Sequence, residues 1–208
     1  MPDTRAARPD RDALVEVATG QHGYFTAAQA NACGYSRSLL SHHARSGRLT
    51  RVDHGLYRIT EFPPKPHEEV MAAWLAAGRE ETVVSHETAL ELLDLSDVIP
   101  DAIHITVPRS RRWYRGGPGV RIHTITRPFR PADIVVRDGI AVTSPARTIV
   151  DVARTGFAPD QLETVMRQVQ RRGLATRRQL LEGANVHDGP TERLVRSVVN
   201  RVWHESTA

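Results

Sequence analysis

Residues 23–59 read GYFTAAQANACGYSRSLLSHHARSGRLTRVDHGLYRI, and the fold of the N-terminal part of the chain can be predicted from this segment. Thr26 and Gln29 have the spacing of a capping box, in which each side chain accepts a hydrogen bond from the backbone N–H of the other residue. The helix that they begin covers residues 27–33 and ends at Gly34, because glycine adopts the left-handed conformation that closes many helices. The stretch therefore begins with a short helix followed by a tight turn.

A second helix with a basic outer side follows this turn. Ser36 is predicted to cap the helix, which runs from Arg37 to about Ser46 and is closed by Gly47. Leu39 and Leu40 can be buried on one side of it. Polar and basic side chains then lie along the opposite side: Arg37, Ser38, Ser41, His42 and Arg45.

A short basic hairpin is predicted after the second helix. Residues 48–59 have the pattern of two alternating strands around a turn at Asp53-His54-Gly55. Two helices joined by a tight turn and followed by a basic hairpin are the parts of a winged helix-turn-helix, in which the second helix reads DNA. We therefore predict a winged helix-turn-helix DNA-binding domain at residues 10–61.

The local distribution of charge agrees with a DNA-binding domain. Between Gly34 and Thr60 the chain has five arginines and one acidic residue, Asp53. Clustered arginines are expected where a protein neutralises DNA phosphates. A small helical domain also needs a solvated, charged face, which is the alternative explanation. Since Lys65 is the single lysine among 28 basic residues, the bias towards arginine says little by itself, and the combination of helices and hairpin is what favours DNA.

The composition of the whole chain excludes several classes of protein. A length of 208 residues, 40% of them hydrophobic, suits one large domain or two small ones. The net charge of +4 predicts no general affinity for polyanions. The single cysteine, Cys33, cannot form an internal disulfide. Neither a membrane-spanning run nor a signal sequence is present, so we expect a cytoplasmic protein with no membrane contact.

Prolines predict a domain boundary after the hairpin. Residues 62–66 read FPPKP, and three prolines remove backbone donors and fix φ, which predicts a stiff linker. Residues 1–9 are polar, and we predict a disordered N-terminus there. Residues 67–208 form the second predicted domain, which mixes helices and strands and ends with C-terminal helices.

Strand and helix signals alternate in this second domain. Residues 103–107 and 120–125 have alternating patterns, and we expect these two strands to pair. A hairpin is predicted at residues 134–142, with its turn at Asp138-Gly139. Helices are predicted after Ser85, which we interpret as an N-cap, from Pro145, between Leu162 and Val169, and from Glu192 to Trp203.

The order of these motifs resembles that of the AbiEi family of bacterial antitoxins. Three stretches carry the resemblance: residues 22–59 with the wing GRLTRVDHGLYRI, residues 85–90 reading SHETAL, and residues 143–151 reading TSPARTIVD. The resemblance extends over residues 10–185, and the combination of the three stretches is what makes it specific.

The resemblance implies an α+β fold, with an N-terminal winged helix-turn-helix followed by a mixed α/β antitoxin domain. Proteins of this family act in toxin–antitoxin systems associated with phage defence. They bind inverted repeats of double-stranded DNA in the promoter of their own operon as autorepressors, and they neutralise a cognate toxin similar to nucleotidyltransferases. Family members differ in whether they touch the toxin, so direct contact stays open here. We expect a monomer or a weak dimer.

The predicted recognition helix nominates individual DNA contacts. Its N-terminal residues face base edges in the major groove, and they are Ser36, Arg37, Ser38 and Ser41, with His42 and Arg45 behind them. Arg37 is the predicted base reader, because a guanidinium matches two acceptors of guanine. Four further residues are predicted to hold phosphates or to enter the minor groove: Arg48, Arg51, His54 and Arg58. Leu56 and Tyr57 are expected to pack within the wing.

A second basic tract lies in the C-terminal domain. Residues 102–132 contain seven arginines and no acidic residue. Its densest part interleaves cations with aromatic rings: Arg109, Arg111, Arg112, Trp113, Tyr114 and Arg115. Such a loop suits a polyanion or an acidic partner surface, and the alternative is a solvated loop whose aromatic rings pack locally.

An enzyme that acts on nucleic acid, or that covalently modifies the toxin through the C-terminal domain, is the alternative function. His104 and His123 fall on neighbouring predicted strands, and Glu87 or Asp101 could join them at a metal ion. No pair of these residues has an established ligand spacing, so we predict no metal site, no cofactor and no catalytic residue. The run Ser85-His86-Glu87 contains the residue types of a catalytic triad, but it is not predicted to form one, because neighbours in sequence do not converge in space.

Overall fold

The computed structural model describes residues 8–97, 99–185 and 189–204. These residues form two compact units, of which the first ends at Glu80 and the second begins at Glu81. Within the described ranges, every helix is too short or too polar to cross a membrane. Residues 1–7 of the predicted disordered N-terminus lie outside these ranges.

The first unit is a winged helix-turn-helix, as predicted. Its elements are α1 (Arg11–Thr19), β1 (Tyr24–Thr26), α2 (Ala27–Ala32), α3 (Arg37–Arg45), β2 (Leu49–Asp53), β3 (Leu56–Ile59) and α4 (Glu68–Ala77). The sequence analysis did not predict α1 or β1. The signal for α1 is local, since the Asp10 side chain accepts a hydrogen bond from the Ala13 backbone N–H at 3.0 Å and caps the helix.

The predicted caps form in the helix-turn-helix. The Thr26 hydroxyl accepts from the Gln29 N–H at 3.2 Å, and the Gln29 side-chain oxygen accepts from the Thr26 N–H at 2.8 Å, so the capping box is confirmed. The Ser36 hydroxyl accepts from the Leu39 N–H at 3.2 Å and begins α3. Gly34, with φ +82°, makes the turn between the two helices.

The wing is the edge of a small antiparallel sheet with the strand order β1-β3-β2. The central strand β3 buries Leu56 and Tyr57, and the Tyr57 ring stacks on Phe25 with centroids 6.0 Å apart. The predicted alternation along β2 is wrong, because only Leu49 of this strand is buried. The side chains of residues 50–53 are exposed on both faces of this strand.

Helix α4 packs with the first unit, although the sequence placed the domain boundary before it, at residues 62–66. The helix contacts β1 and β3, and its buried side chains include Met71 and Trp74. The proline-containing segment is itself anchored, because Phe62 lies so close to Gly23 that a Cβ there would be 2.6 Å from the Phe62 Cγ. The two compact units therefore divide at Glu80, after α4.

The second unit is built on a mixed five-stranded sheet with the order β6-β5-β4-β8-β7. Its elements are β4 (Val83–Val84), α5 (His86–Leu92), β5 (Ile103–Pro108), β6 (Val120–Ile125), β7 (Ile134–Arg137), β8 (Ile140–Thr143), α6 (Pro145–Arg154), α7 (Pro159–Arg171), α8 (Arg177–Ala184) and α9 (Gly189–His204). The two predicted strands β5 and β6 pair with each other in parallel. The predicted hairpin is β7–β8, and Asp138 and Gly139 both have positive φ in its two-residue turn.

Helices α6 to α9 complete this unit. The last helix, α9, contacts α6, α7 and α8. It buries one apolar side of valines, including Val195, Val198 and Val202. The C-terminal helix therefore docks on its own unit.

Replacement of Gly23 by alanine tests the anchoring of the proline-containing segment. We expect Gly23→Ala to lower the free energy of unfolding by about 2–4 kcal/mol, because the new Cβ would collide with Phe62 and φ is +89°. Gly47→Ala is the matched control, since Gly47 has φ +77° but open space around its Cα. It should cost about 1–2 kcal/mol from the left-handed conformation alone. Equal losses in urea denaturation of the two variants would contradict this packing.

Candidate nucleic-acid interface and the polar cluster of the second unit

The outer side of α3 is exposed over its whole length. The predicted contact residues Ser36, Arg37, Ser38, Ser41, His42 and Arg45 are all exposed. Leu40 is buried and Leu39 is half-buried on the other side, so the amphipathic division of this helix follows the prediction. Arg37 is exposed in the first turn of α3, directly after the Ser36 cap.

The wing presents three further predicted contacts. Arg48, Arg51 and His54 are exposed on the segment that leaves α3 and on the hairpin. The Thr50 and Thr60 hydroxyls are 3.1 Å apart across this hairpin. The two predicted groups of contacts, on the helix and on the wing, therefore belong to one small unit with a shared core.

Arg58 differs from the other nine predicted contacts. Its guanidinium donates to Glu68 at 3.1 Å and to the Pro63 carbonyl at 3.3 Å, and it lies over the Tyr24 ring. Its side chain is only 16% exposed. The structure thus gives Arg58 a packing role between β3 and α4, and these contacts would have to break before its guanidinium could hold a phosphate.

The second basic tract forms an exposed loop between β5 and β6. Arg109, Arg112 and Arg115 are exposed, and Trp113 is 67% exposed. Arg111 lies over the Tyr114 ring at 5.6 Å from its centroid. One aromatic ring of the loop therefore packs locally while the other, Trp113, faces solvent, so each of the two sequence-based explanations describes part of the loop.

Comparison with known proteins identifies the family. Residues 12–60 match the family described as a transcriptional regulator, AbiEi antitoxin, and residues 82–196 match the AbiEi antitoxin C-terminal domain. This chain is an AbiEi-family antitoxin. The crystal structure of the RV2827C protein from Mycobacterium tuberculosis has the same fold, with a TM-score of 0.60 at 16% identity, over 90% of this chain and 74% of that one. No curated protein matches the chain.

The antitoxin domain contains a polar cluster that the sequence analysis did not assemble. It consists of His86, His104 and His123, which come from three successive elements of the chain. His86 is the first residue of α5, directly after β4, whereas His104 lies on β5 and His123 on β6. In the parallel register of β5 and β6, Thr106 is opposite His123, so His104 and His123 lie on the same face of the sheet.

The three imidazole rings are in contact. His86 and His123 are stacked with centroids 3.5 Å apart, and the centroids of His104 and His123 are 5.0 Å apart. The His123 Nε2 is 3.2 Å from the His104 Nδ1. The His86 Nδ1 is 2.8 Å from the Ser85 hydroxyl, which lies 2.7 Å from the Thr106 hydroxyl. The Ser85 side chain therefore orients His86 and does not cap α5 as predicted.

Burial keeps these imidazoles uncharged. His86 and His104 are 3% and 1% exposed, and His123 is half-buried. Desolvation, reinforced by His123 and by His104, lowers the pKa of His86 to about 2. Desolvation and the neighbouring His104 lower the pKa of His123 to about 4. Desolvation and Arg121 also lower the pKa of His104.

Acidic residues lie beside the cluster. Asp101 pairs with Arg121 at 3.1 Å, and its other oxygen is 3.9 Å from the His104 Nε2, too far for a hydrogen bond. Glu87, Asp101 and His104 also place ligand atoms within 4.8 Å of one another. No metal site was predicted from these residues, because no pair of them has an established ligand spacing in the sequence. The sequence analysis paired His104 with His123 correctly, but it treated His86 only as part of a false triad.

Helix α6 of the same unit contains a buried ion pair between Arg147 and Asp151. The Arg147 Nε donates to both carboxylate oxygens of Asp151, at 2.9 and 3.0 Å, and the guanidinium lies over the Phe129 ring. Asp151 is 1% exposed, and burial raises its pKa to about 6 although Arg147 opposes the shift. This pair holds one buried charge against another and so stabilises the surface of α6 that faces the core.

The depressed pKa of His86 predicts a loss of stability in acid. The unfolded chain takes up a proton near pH 6.5, whereas folded His86 stays neutral, so stability is present above this pH and falls as the pH falls through it. Between about pH 7.5 and about pH 5.5, His86 alone should lower the free energy of unfolding by about 1.4 kcal/mol.

Urea denaturation of wild type and His86→Asn at the two pH values, with a chelator present, measures this contribution. Asparagine is the replacement because it tolerates the positive φ of 55° at this position. The pH-dependent loss should be smaller in His86→Asn by about the contribution of one histidine. Protonation of Asp151 instead raises the free energy of unfolding as the pH falls, and this effect is expected to be equal in the two proteins. The same pH dependence in both would show that His86 is not held neutral.

Proposed function

We propose that this antitoxin binds inverted repeats in the promoter of its own operon and represses transcription, and that it neutralises a cognate nucleotidyltransferase-like toxin. The exposed, acid-free outer side of α3, next to an exposed basic wing, carries the DNA-binding part of the proposal. The description of the N-terminal family as a transcriptional regulator supports it. The description of the C-terminal family as an antitoxin domain supports the second part.

Arg37 is the proposed base reader. Its side chain is exposed, and within the described residues it makes no ion pair that would have to break on binding. It lies at the N-terminal end of α3, the part of a recognition helix that meets base edges. A guanidinium can donate two parallel hydrogen bonds to O6 and N7 of guanine, so Arg37 suits a G·C pair in each half-site.

The remaining cations are proposed to hold the backbone of the duplex. Arg45 and Arg48 flank the C-terminal end of α3, and Arg51 and His54 lie on the wing. Contacts of this kind fix orientation and register without reading sequence. Two chains bound to inverted repeats, with half-sites about 34–36 Å or a multiple apart, would present two α3 helices to successive turns of the major groove.

Replacement of Arg37 tests the base contact. Arg37→Ala should weaken binding to the operator by about 1–3 kcal/mol and leave binding to a scrambled duplex nearly unchanged. Arg137→Ala is the matched control, because Arg137 is an exposed arginine on the β7–β8 hairpin, outside the proposed interface. It should leave both affinities unchanged. The measurement is fluorescence anisotropy with DNA from immediately upstream of the gene.

A salt series separates base reading from phosphate binding. Arg48→Ala and Arg51→Ala should each reduce the slope of log affinity against log salt by about one, with an equal loss on operator and scrambled DNA. If Arg37→Ala behaves in the same way, Arg37 is a phosphate contact and not a reader. If wild type binds both duplexes equally, autorepression through this domain is excluded.

The exposed loop at residues 109–115, between β5 and β6, is called the Trp113 loop below. It is the proposed contact of the antitoxin domain with an acidic surface of the toxin. An exposed indole flanked by Arg112 and Arg115 combines apolar area with charge, which are the features that dominate protein interfaces. In cells that express the toxin, Trp113→Ala and Arg112→Glu should each reduce rescue of growth without changing promoter binding. Val136→Ala, at an apolar residue that is also 67% exposed, is the control. Unchanged rescue in both loop variants would remove the loop from the proposal.

Mass spectrometry distinguishes this function from the enzyme alternative. After incubation of the purified antitoxin with the toxin and nucleotides, a binding antitoxin leaves the toxin mass unchanged. A covalent change in the toxin, or cleavage of added nucleic acid, would instead assign an activity to the C-terminal domain.

A further inference from the structure

We propose that the antitoxin domain binds one divalent transition-metal ion through the imidazoles of His86, His104 and His123. Each residue offers one ring nitrogen, and the three nitrogens lie within 4.8 Å of one another. The three residues belong to α5, β5 and β6 of a single compact unit, so the backbone already holds them together. Neither the DNA-binding surface nor the Trp113 loop includes any of them.

The separation of two ring nitrogens matches a metal-bound pair. Ligands at 2.0–2.1 Å from a tetrahedral Zn²⁺ are about 3.3 Å apart, and the His123 Nε2 and His104 Nδ1 are separated by 3.2 Å. These two atoms therefore need little movement to share an ion. The His86 ring is stacked on that of His123, with centroids 3.5 Å apart, so it must tilt out of this stack to direct its nitrogen at the same ion.

Neighbouring groups orient the ligands in the way that metal sites require. A metal-bound histidine usually donates its other ring N–H to a carboxylate or another acceptor, which fixes its tautomer. If the His86 Nδ1 donates to Ser85, its Nε2 carries the free lone pair. If the His104 Nδ1 binds the metal, its Nε2–H points towards Asp101, 3.9 Å away.

The His104 Nε2 supplies an independent reason for a ligand. This atom is buried and makes no hydrogen bond within the part of the chain that the structure describes. A buried polar atom without a partner is unfavourable. Metal binding at Nδ1 makes Nε2 a stronger donor and favours a shorter contact with Asp101, so one event satisfies both ring nitrogens.

The donor set selects the kind of metal. Three imidazoles suit Zn²⁺, Ni²⁺, Co²⁺ or Cu²⁺, whereas Mg²⁺ and Ca²⁺ require oxygen ligands. Imidazole must be neutral to coordinate, and the burial of the cluster keeps it neutral. Arg121, Arg147 and Arg154 also disfavour protonation of these rings, and their positive charge opposes a divalent ion as well, so the three imidazoles must outweigh this repulsion. Three protein ligands leave a fourth coordination position for water or an anion.

Titration of the full-length, untagged protein tests the site. After treatment with a chelator and removal of the chelator, the protein is titrated with Zn²⁺ by calorimetry and with Co²⁺ by visible absorption. We expect one equivalent to bind, with a tetrahedral Co²⁺ spectrum and a rise in the melting temperature on addition of Zn²⁺. Absence of saturable binding at micromolar metal would overturn the proposal.

Histidine variants assign the ligands. His123→Ala, at the half-buried member of the cluster, should lose the Co²⁺ spectrum and the thermal shift, and His204→Ala, at an exposed histidine of α9, should keep both. Circular dichroism of His123→Ala shows whether the variant is folded. If it binds one equivalent as tightly as wild type does, these residues are not the ligands.

Asp101→Asn provides a test that does not disturb the buried rings, because Asp101 is exposed. Loss of a carboxylate that orients a ligating histidine typically weakens metal binding about 10–100-fold. We therefore expect weaker Zn²⁺ binding with unchanged stoichiometry. An unchanged affinity in Asp101→Asn together with binding by His123→Ala would place the ion elsewhere. Promoter binding, measured in parallel, is not expected to change in either variant.

Discussion

The second unit depends on the pairing of one very short strand, β4. Val84 pairs with Ile105 of β5 in antiparallel register and with Val142 of β8 in parallel register. The two residues of β4, Val83 and Val84, therefore join the two halves of the five-stranded sheet. Because β4 is central, the chain leaves it inside the protein, and the polar residues that follow must find partners there. Ser85 meets Thr106, and Thr143 meets Thr148 across the start of α6. The buried polar cluster is thus a consequence of where the sheet places the end of β4.

The first unit keeps its cations exposed to solvent, whereas the second unit buries titratable groups. In the first unit, cations are kept on α3 and the wing in contact with water, where they can exchange counterions for DNA phosphates at little cost. In the second unit, the titratable groups near β4 are buried, so they are neutral, as the histidines are, or paired, as Asp151 is with Arg147. Exposed charge gives a surface suited to a large polyanion. Buried neutral imidazoles give a site suited to a small ligand that can enter the protein.

Local signals were sufficient to predict the helix-turn-helix and the hairpin of the first unit. Thr26, Gln29 and Ser36 make their caps with residues three positions away, so the sequence alone contains the interaction. Arg58 shows the limit of this reasoning, because its partner Glu68 lies beyond a proline-containing segment that was expected to separate two domains. The histidine cluster could not be predicted from local signals either, because its members are also distant from one another in sequence. Its members are 18 and 19 residues apart, and only the register of β4, β5 and β6 brings them together.

The free-energy cost of a buried histidine with positive φ at position 86 indicates that its imidazole has a function. A non-glycine residue with φ of 55° costs on the order of 1–3 kcal/mol, and asparagine or glycine would occupy the position with less strain. Burial of a polar ring adds a desolvation cost that the single hydrogen bond to Ser85 offsets only in part. His104 adds a buried nitrogen without a hydrogen-bond partner in the described chain. Stacking between neutral rings is too weak to compensate for all three costs. Coordination of an ion would give one nitrogen of each ring a strong partner, and it would favour a shorter contact between the His104 Nε2 and Asp101.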